Sequence, residues 1–475
     1  MSKISETIGL LSLLREVLGS KSGFTGVSIL VLIIAMSFIA VIFYPYSLIS
    51  QIWNDPEYWK DNPHLALPTW YNTIAGLNLP PNIIFDSRKE DARILKHKIT
   101  FGNFTEHQIT ITFSYNYDGF PSEINAYFYA KFQRNPLIQI TFVRPDGREI
   151  PFWSGSLERN ESFVILSNSP IAKKNIQVYY YNTFKSSVYD PPTNIVLFAV
   201  EEPGMCDMTS ARVLKSIDKN ENYRVRIKGI FFEQWSELNV KLIIYGRVYG
   251  LLGTDDRRRD LIIPLLWGAP IALSFGISLS VIITFLHLLL GTISAWFGGK
   301  VDLIIQKITE IYMIVPFFAV LVLISTFYKI NIWTVFISII ILSLFGGGVK
   351  SARALALQLK QMPYVEAAIV YGTKSFRIIT RYIMYPMLPI LIPGIISAIP
   401  GFVFLEAALA YLGLGDPTLP TWGKTINEAN TAGAVYWLFW WWILPPIIAL
   451  ILLSAAFALI GYSLDKIVNP RLREL

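Results

Sequence analysis

Long apolar runs separated by short polar connections occupy the two ends of this chain of 475 residues. The first run covers residues 24–44. Five more follow after a long gap, at residues 269–296, 311–327, 332–349, 390–412 and 435–464. About 17 or more consecutive apolar residues in a helix can cross the roughly 30 Å hydrocarbon core of a bilayer. The pattern therefore predicts an α-helical membrane protein with six transmembrane helices.

The segment between the first and second runs has a different pattern. Short β-prone stretches recur at residues 108–115, 126–132, 137–143, 162–167, 176–181, 194–200, 223–232 and 240–246. Several of them alternate apolar and polar residues, and turn formers such as Pro145-Asp146-Gly147 separate them. We expect residues 49–249 to form a β-rich, sandwich-like domain inserted between helices 1 and 2.

Composition supports a membrane location. Hydrophobic residues make up 53% of the chain, charged residues 16%, and the mean hydropathy is +0.45, which excludes an ordinary soluble protein. The net charge of +7 is spread over the ends of apolar runs, which favours a membrane over nucleic acid. Cys206 is the single cysteine and the four histidines lack ligand-like spacing, so neither an intrachain disulfide nor a metal site is expected.

The distribution of lysine and arginine predicts the orientation of the helices. With both termini in the cytoplasm, most of these residues in short connections lie inside, and the short outer loops carry Lys329 and Lys424. Residues 257–259, an arginine run, fall outside, but long translocated segments obey this rule poorly. The first run lacks a cleavage site and is interpreted as an uncleaved anchor. Residues 1–23 form either an amphipathic helix on the inner membrane face or a mobile tail.

A polar connection on the cytoplasmic side, residues 353–386, contains a distinctive motif. Pro363 is suited to start a short helix over residues 364–371, and Gly372 to stop it. The negative charge of Glu366 near the helix start interacts favourably with the helix dipole and can pair with a basic residue of a partner. The two alanines keep one side of the helix slim, so that another protein can approach closely. The motif and the residues that follow it comprise Glu366, Ala367, Ala368, Gly372, Leu388 and Pro389. The alternative is ordinary helix composition with a cap.

These six residues resemble the EAA loop by which permease subunits of prokaryotic ABC importers contact their ATPases. Other segments resemble the C-type permeases of the dipeptide, oligopeptide and nickel family: the turn at 297–302, residues 405–423, residues 469–473, and a "GTDxxGRD" segment. That last segment matches at Gly253, Thr254, Asp255, Arg259 and Asp260. Arg258 replaces the family's glycine, residues 382–386 replace its "HxLP", and Tyr462 stands where aspartate is common.

The resemblance implies an ABC importer permease fold without enzymatic activity. The implied divisions are a cytoplasmic segment 1–23, helix 1 at 24–48, an extracellular domain 49–249, and a five-helix core 250–475 with the coupling loop at 353–386. The implied partners are a second homologous permease, two ATPases that bind ATP and Mg²⁺, and an extracellular solute-binding protein. The implied location is the plasma membrane of a bacterium or archaeon. Family members carry peptides, nickel chelates or oligosaccharides.

Several features leave alternatives open. Glu406, inside the fifth run, either lines the translocation path or makes a packing hydrogen bond. The domain at 49–249 could dock a binding protein, cover the pore or shield the complex, and Asn103 and Asn160 begin glycan-acceptor sequons. Residues 346–351 resemble a phosphate loop, but the spacing fails. The tryptophans at 437–442 fit an interfacial belt. The rival functions are a membrane receptor, or an intramembrane enzyme whose motifs are missing.

Overall fold

The computed structural model describes residues 10–102, 104–207, 210–216, 222–328 and 331–468. The chain forms two compact units, one of Met1–Asn54 with Ile263–Leu475 and one of Asp55–Ile262. Four sequence-based expectations lie outside the described residues, namely those on residues 1–9, Asn103, Lys329 and 469–473.

The first unit begins with helices α1 (Leu10–Gly19), α2 (Lys21–Phe43) and α3 (Tyr46–Ile52). Ser20 separates the first two, and its Oγ accepts the Gly23 N–H at 3.0 Å, which caps α2. Val17 is buried with Ile460 and Leu464 near the end of the last helix of this unit. Helix α2 coincides with the first predicted span.

The described residues of the second unit form four α-helices and nine strands. The helices are α4 (Pro56–Trp59), α5 (Tyr71–Ala75), α6 (Pro170–Phe184) and α7 (Thr193–Val196). The strands are β1 (Ile83–Asp86), β2 (Ile94–Phe101), β3 (Phe104–Phe113), β4 (Glu123–Lys131), β5 (Leu137–Val143), β6 (Glu149–Ser156), β7 (Glu161–Ile165), β8 (Tyr223–Phe231) and β9 (Glu237–Tyr245). The β-rich character predicted for this segment is confirmed.

The strands form two antiparallel sheets that share one hydrophobic core. The sheet orders are β1-β9-β4-β7 and β2-β3-β8-β5-β6. Buried side chains from both sheets meet in the core, among them Phe128 and Leu242 from the first and Ile140 and Ile227 from the second. Burial alternates along β8 because successive side chains of a strand point to opposite faces. The unit is therefore sandwich-like.

Two strand predictions in this unit are wrong. Residues 176–181 lie in α6, where Ala172, Ile176 and Tyr180 are buried at a spacing of four, so the helical face outweighed the β-prone composition. Residues 194–200 form α7 and a following turn, because this apolar run is buried on all sides and carries no strand periodicity. Strands β1, β2 and β6 were not predicted.

In the part of the first unit that the structure describes, ten further α-helices follow. They are α8 (Ile262–Phe297), α9 (Gly299–Ile314), α10 (Phe317–Phe327), α11 (Ile332–Ser343), α12 (Gly347–Lys360), α13 (Pro363–Val370), α14 (Ser375–Arg377), α15 (Tyr385–Tyr411), α16 (Trp422–Thr431) and α17 (Trp440–Val468). A π-helical segment, Ile378–Met384, joins α14 to α15, so that Ser375–Tyr411 forms one long helix.

Within the described ranges, four helices are long and apolar enough to cross a membrane. They are Lys21–Phe43, Ile262–Phe297, Ser375–Tyr411 and Trp440–Ile467. The count rises to six if each of two bent pairs is one span: α9 with α10, bent by 78°, and α11 with α12, bent by 50°. The first bend falls at Pro316, which caps α10. These helices define a multi-pass membrane protein.

The stretch from residue 250 to Ile262 clusters with the β-rich unit, whereas the sequence-based division begins the helical core at residue 250. The reason is local hydrogen bonding. The Thr254 hydroxyl donates to the Pro63 carbonyl at 2.7 Å and accepts the Ala66 N–H at 2.9 Å. The Leu65 N–H donates to the Asp255 carbonyl at 3.1 Å.

Candidate functional site

Helix α13 carries the Glu-Ala-Ala triplet and is closed at both ends. Pro363 occupies its first turn, where a missing N–H costs nothing. Gly372 adopts a φ of +71° just beyond its end. The Gly372 N–H donates to the Ile369 carbonyl at 2.9 Å, and the Thr373 N–H donates to the Ala368 carbonyl at 3.1 Å. This pair of bonds is a Schellman cap, so α13 is a short helix with fixed ends.

The two faces of α13 differ in exposure. Val365 is buried in a cluster with Ala356 and Ile378 of this chain's own helices, and Ala368 is 5% exposed. Glu366 and Ala367 are exposed. The expectation that both alanines present a slim side to a partner is therefore wrong for Ala368, because its side chain is buried.

The end of α13 presents exposed apolar side chains. Val370 is 85% exposed and Tyr371 88%, and Phe376, at the start of the next helix, is 78% exposed. Together with Glu366 and Ala367 these three residues form what we term the coupling surface. Exposed apolar groups of this size beside a carboxylate are typical of a site that binds another protein.

The structure does not bring Leu388 and Pro389 to this surface. Both lie inside α15, in a helix that begins at Ser375, whereas the sequence predicted an apolar span starting near residue 390. The Tyr385 N–H bonds to the Thr380 carbonyl, an i to i−5 pattern that continues the π-helical segment next to Pro386. The stretch between α13 and the next helix is consequently short, residues 371–374.

The triple glycine at residues 346–348 has a packing role that sequence reasoning missed. His287, on α8, places its Nε2 2.7 Å from the Ser343 carbonyl at the bend between α11 and α12. A Cβ at Gly348 would come within 2.2 Å of the His287 Nδ1, and one at Gly346 within 3.1 Å of the Nε2. The glycines therefore make room for the imidazole.

Glu406 lies in α15 and is 8% exposed. It lines a narrow pocket with Asp416 and Thr421, whose other walls are largely apolar, including Phe275 and Leu409. The Thr421 side chain is its hydrogen-bonding partner and also caps α16 by accepting the Lys424 N–H at 3.3 Å. The pocket is thus an acidic spot inside an apolar helical unit.

Asp416 ties the same pocket to α11. Its Oδ2 accepts the Ile332 N–H at 3.1 Å in the first turn of that helix, where a carboxylate favours the helix dipole. Its Oδ1 accepts from both the backbone and the hydroxyl of Thr418. Each carboxylate in the pocket therefore has defined hydrogen-bond donors.

The "GTDxxGRD"-like segment is a structural element of the β-rich unit. Asp255 and Arg259 form an ion pair at 2.6 Å with both side chains 1% exposed. Arg258 adopts a φ of +66°, in the left-handed region that glycine enters freely, and this is the position at which the family motif has glycine. Its guanidinium bonds to Glu123 at 2.5 Å and to the Asn62 carbonyl at 2.9 Å, which offsets the backbone strain.

Over the described ranges, no three or more His, Cys, Asp and Glu side chains are grouped so as to hold a metal ion.

Comparison with known proteins locates the chain in a family. Residues 287–474 match the family model described as "Binding-protein-dependent transport system inner membrane component". The chain is 32% identical over 181 residues to the "Oligopeptide transport system permease protein OppC" of Haemophilus influenzae (strain ATCC 51907 / DSM 11121 / KW20 / Rd), covering 38% of this chain and 58% of that protein.

Two further relatives extend the match. The "Dipeptide transport system permease protein DppC" of Bacillus subtilis (strain 168) is 27% identical over 222 residues, or 46% of this chain and 68% of the relative. A protein of Brucella suis biovar 1 (strain 1330), whose name describes a peptide transport system permease, is 30% identical over 225 residues, or 47% of this chain and 74% of the relative.

The chain belongs to the binding-protein-dependent transport system inner membrane component family. This confirms the resemblance to dipeptide and oligopeptide permeases drawn from the sequence, and with it the expectation of a transport subunit rather than an enzyme.

Proposed function

We propose that this chain is a permease subunit of an ABC importer and that it pairs with a second homologous permease to enclose a path across the membrane. The observation that carries the proposal is the coupling surface. A short helix that begins at Pro363, ends in a Schellman cap and is followed closely by the long apolar helix Ser375–Tyr411 presents a carboxylate and exposed apolar side chains. Such a surface fits an ATPase subunit that docks from the cytoplasm.

The proposed mechanism is mechanical. Two ATPase subunits bind ATP and Mg²⁺, and their closure displaces the docked coupling helices. Because α13 is short and fixed at both ends, displacement of α13 would tilt the helices that flank it instead of bending α13 itself. The core would thus alternate between outward-facing and inward-facing states. This chain contributes binding and geometry without covalent chemistry.

The proposed cargo is a peptide, delivered by an extracellular solute-binding protein. The support is that the relatives named above are oligopeptide and dipeptide permeases. The proposed location is the plasma membrane of a prokaryotic cell, with both termini in the cytoplasm and residues 49–249 outside. The excess of lysine and arginine in the connections assigned to the inside supports this orientation.

We also propose that Glu406 lines the translocation path. A carboxylate inside a transmembrane helix is costly unless it faces protein or water, and Glu406 faces a pocket that holds a second carboxylate. Glu406→Gln keeps the shape and the hydrogen bond to Thr421 and removes the charge. We expect uptake of a radiolabelled tripeptide by whole cells to fall, with Asp465→Asn, an exposed carboxylate near the end of α17, as the control. Unchanged uptake would leave Glu406 a packing residue.

For the β-rich unit we propose a role in docking the binding protein or covering the outer mouth of the path. Its two sheets enclose a core of their own, so the unit has the construction of a domain rather than of a loop. Asn160 is exposed and remains available to a glycan.

The test of the proposal is purification of the tagged chain from its native membrane. We expect two ATPase subunits and a second permease to co-purify. Val370→Asp places a charge in the apolar part of the coupling surface and should release the ATPases while leaving membrane insertion and the second permease in place. Gln358→Asp, an exposed position on α12, is the matched control. An ATPase that co-purifies equally with Val370→Asp would contradict docking at this surface.

A further inference from the structure

Helix α12 packs along the last turns of α8 without side chains between the two backbones. A Cβ at Gly291 of α8 would come within 2.6 Å of the Ala352 Cβ and 2.7 Å of the Arg353 backbone nitrogen on α12. Contacts this close are found where small residues let two helices approach directly. The contact lies one turn of α8 beyond His287, which fills the bend at the start of α12.

An ion pair follows immediately along α12. The Arg353 Nε lies 2.6 Å from Asp302 Oδ1, and the Nη2 lies 2.6 Å from Oδ2, so the pair is bidentate. Asp302 is in the first turn of α9, and its carboxylate also accepts the hydroxyl of Ser294 on α8. Planar, two-point pairing fixes the orientation of the guanidinium relative to the carboxylate as well as the distance between them. A single contact from a lysine would fix the distance alone.

A third contact closes the far end of α12. The Lys360 Nζ, in the last turn of α12, donates to the Ala295 carbonyl at 3.1 Å and to the Trp296 carbonyl at 2.8 Å. Both carbonyls belong to the last turn of α8, where a cation interacts favourably with the negative end of the helix dipole. The ammonium also lies over the Trp296 ring at 5.4 Å from its centroid, within the roughly 6 Å at which a cation is attracted to an aromatic face.

We infer that Asp302, Arg353 and Lys360 form a clamp that fixes α12 to the end of α8, so that α12 and the attached coupling helix α13 move with α8 as one body. These are positioning residues, and the inference rests on the proposed function. The bends of the helical unit lie outside the clamped contact, at Pro316 between α9 and α10 and at residues 344–346 before α12. Motion that enters at α13 is thereby directed into α8.

The test uses thiol protection in the purified complex, reconstituted in lipid nanodiscs with its partner subunits, on a Cys206→Ser background. Ala356→Cys places the probe on α12 at a position that is 0% exposed and packed in the cluster that contains Ala295 of α8. Ala354→Cys, on the exposed side of the same helix, is the control for reagent access. Labelling with a maleimide is followed with and without ATP, so no knowledge of the solute is needed.

With the clamp intact, we expect Ala356→Cys to stay protected in both conditions. With Arg353→Gln added, ATP should accelerate labelling by about tenfold, the change that corresponds to about 1.4 kcal/mol of lost local stability. Arg353→Lys keeps the positive charge but loses the two-point geometry. Its ATP-dependent labelling rate should lie between that of the intact clamp and that of the Arg353→Gln variant. Lys307→Gln, which removes an exposed cation from α9 outside the clamp, should behave as the intact protein.

Three results would overturn the inference. They are ATP-dependent labelling with the clamp intact, labelling of the Arg353→Gln variant that ATP does not change, and fast labelling of that variant without ATP, which would indicate static packing only. The ATPase content of the same preparation distinguishes failure of the proposed function from failure of the clamp. A complex that lacks ATPases contradicts the proposed function, whereas a complete complex with the wrong labelling contradicts the clamp alone.

Discussion

The indole of Trp422 lies directly on the backbone of Gly268, where a Cβ would come within 2.1 Å of the indole Cδ1. The Trp422 Nε1 donates to the Leu265 carbonyl at 2.9 Å, and the side chain is 1% exposed. This contact joins the start of α16 to the first turns of α8, and Trp422 directly follows Thr421, the hydrogen-bonding partner of Glu406. The position of the acidic pocket therefore depends on a glycine more than a hundred residues earlier in the chain.

Gly268→Ala should destabilise the helical unit. The added methyl group has no space unless Trp422 moves, and overpacking of this kind costs about 1–3 kcal/mol. The measurement is the thermal midpoint of the detergent-purified chain by size-exclusion fluorescence. Gly394→Ala on α15 is the control, because no heavy atom of the described residues lies within 4 Å of its added Cβ. Equal midpoints for the two variants would mean that the Trp422 contact is looser than described.

Substitutions at Gly372 should loosen the end of α13 in an order set by the backbone. At a φ of +71° a side chain costs about 1–2 kcal/mol, and none of the described residues has a heavy atom within 4 Å of the added Cβ to clash with it. We expect ATPase retention during salt washing to fall in the order glycine, asparagine, alanine, valine, because asparagine tolerates this conformation. Retention by Gly372→Val that equals the unsubstituted protein would show that the cap is dispensable for docking.

Arg144→Met should destabilise the β-rich unit. The Arg144 side chain is 0% exposed and donates to the Val196 carbonyl at 3.0 Å and the Ala199 carbonyl at 2.6 Å. Each buried carbonyl would lose a charge-assisted bond worth about 1.5–3 kcal/mol, so the free energy of unfolding should fall by about 3 kcal/mol or more. Labelling of Cys206 in increasing urea measures this, because the thiol packs against the same core.

The control for Arg144 is Arg226→Met. Arg226 pairs with Glu149 at 2.8 Å, but both side chains are about half exposed, and such pairs contribute roughly 0–1 kcal/mol. We expect its labelling curve to overlap that of the unsubstituted unit. A shift as large as that of Arg144→Met would contradict the larger stabilisation expected from the buried guanidinium of Arg144 than from an exposed ion pair.

The β-rich unit should lose stability in mild acid. Burial, with a smaller effect of Lys98, lowers the pKa of His107, whose Nε2 lies 3.0 Å from the Ser236 hydroxyl. The fold favours the neutral imidazole, so the unfolded chain binds the proton more tightly. Stability is therefore retained above about pH 6.5, the ordinary pKa of histidine, and lost as the pH falls below it.

His107→Gln should reduce this acid sensitivity, and His97→Gln, on the exposed strand β2, should not. The measurement is the reactivity of Cys206 towards a disulfide-exchange reagent between pH 7.5 and 5.5, relative to free cysteine. An identical pH dependence in the His107→Gln and unsubstituted proteins would assign the acid sensitivity to other groups.

The sequence predicted the helical unit better than the β-rich one for a physical reason. A span of about 20 apolar residues has few alternatives, whereas residues 137–143 and 176–181 have similar composition and became a strand and a helix. What separated them is the burial of Ala172, Ile176 and Tyr180 on one helical face, which depends on the neighbouring sheet.

Residues of the candidate site were visible in the sequence only where they act locally. Pro363 and Gly372 predicted the ends of α13 because caps are determined by the residues themselves. The contacts of His287 with the glycines at 346 and 348, and of Asp302 with Arg353, join segments about 50 residues or more apart. No spacing rule reaches across such distances, so these pairs required the structure.

Photo-crosslinking from the coupling surface tests the central claim most directly. A photoreactive amino acid at Val370, and in a separate preparation at exposed Phe163 of the β-rich unit as a control, is activated in native membranes. The account predicts that Val370 crosslinks to an ATP-hydrolysing subunit and that Phe163 does not. If Val370 crosslinks only to lipid or to proteins without an ATPase fold while the assembled complex is present, the assignment of α13 as the element that receives force is contradicted.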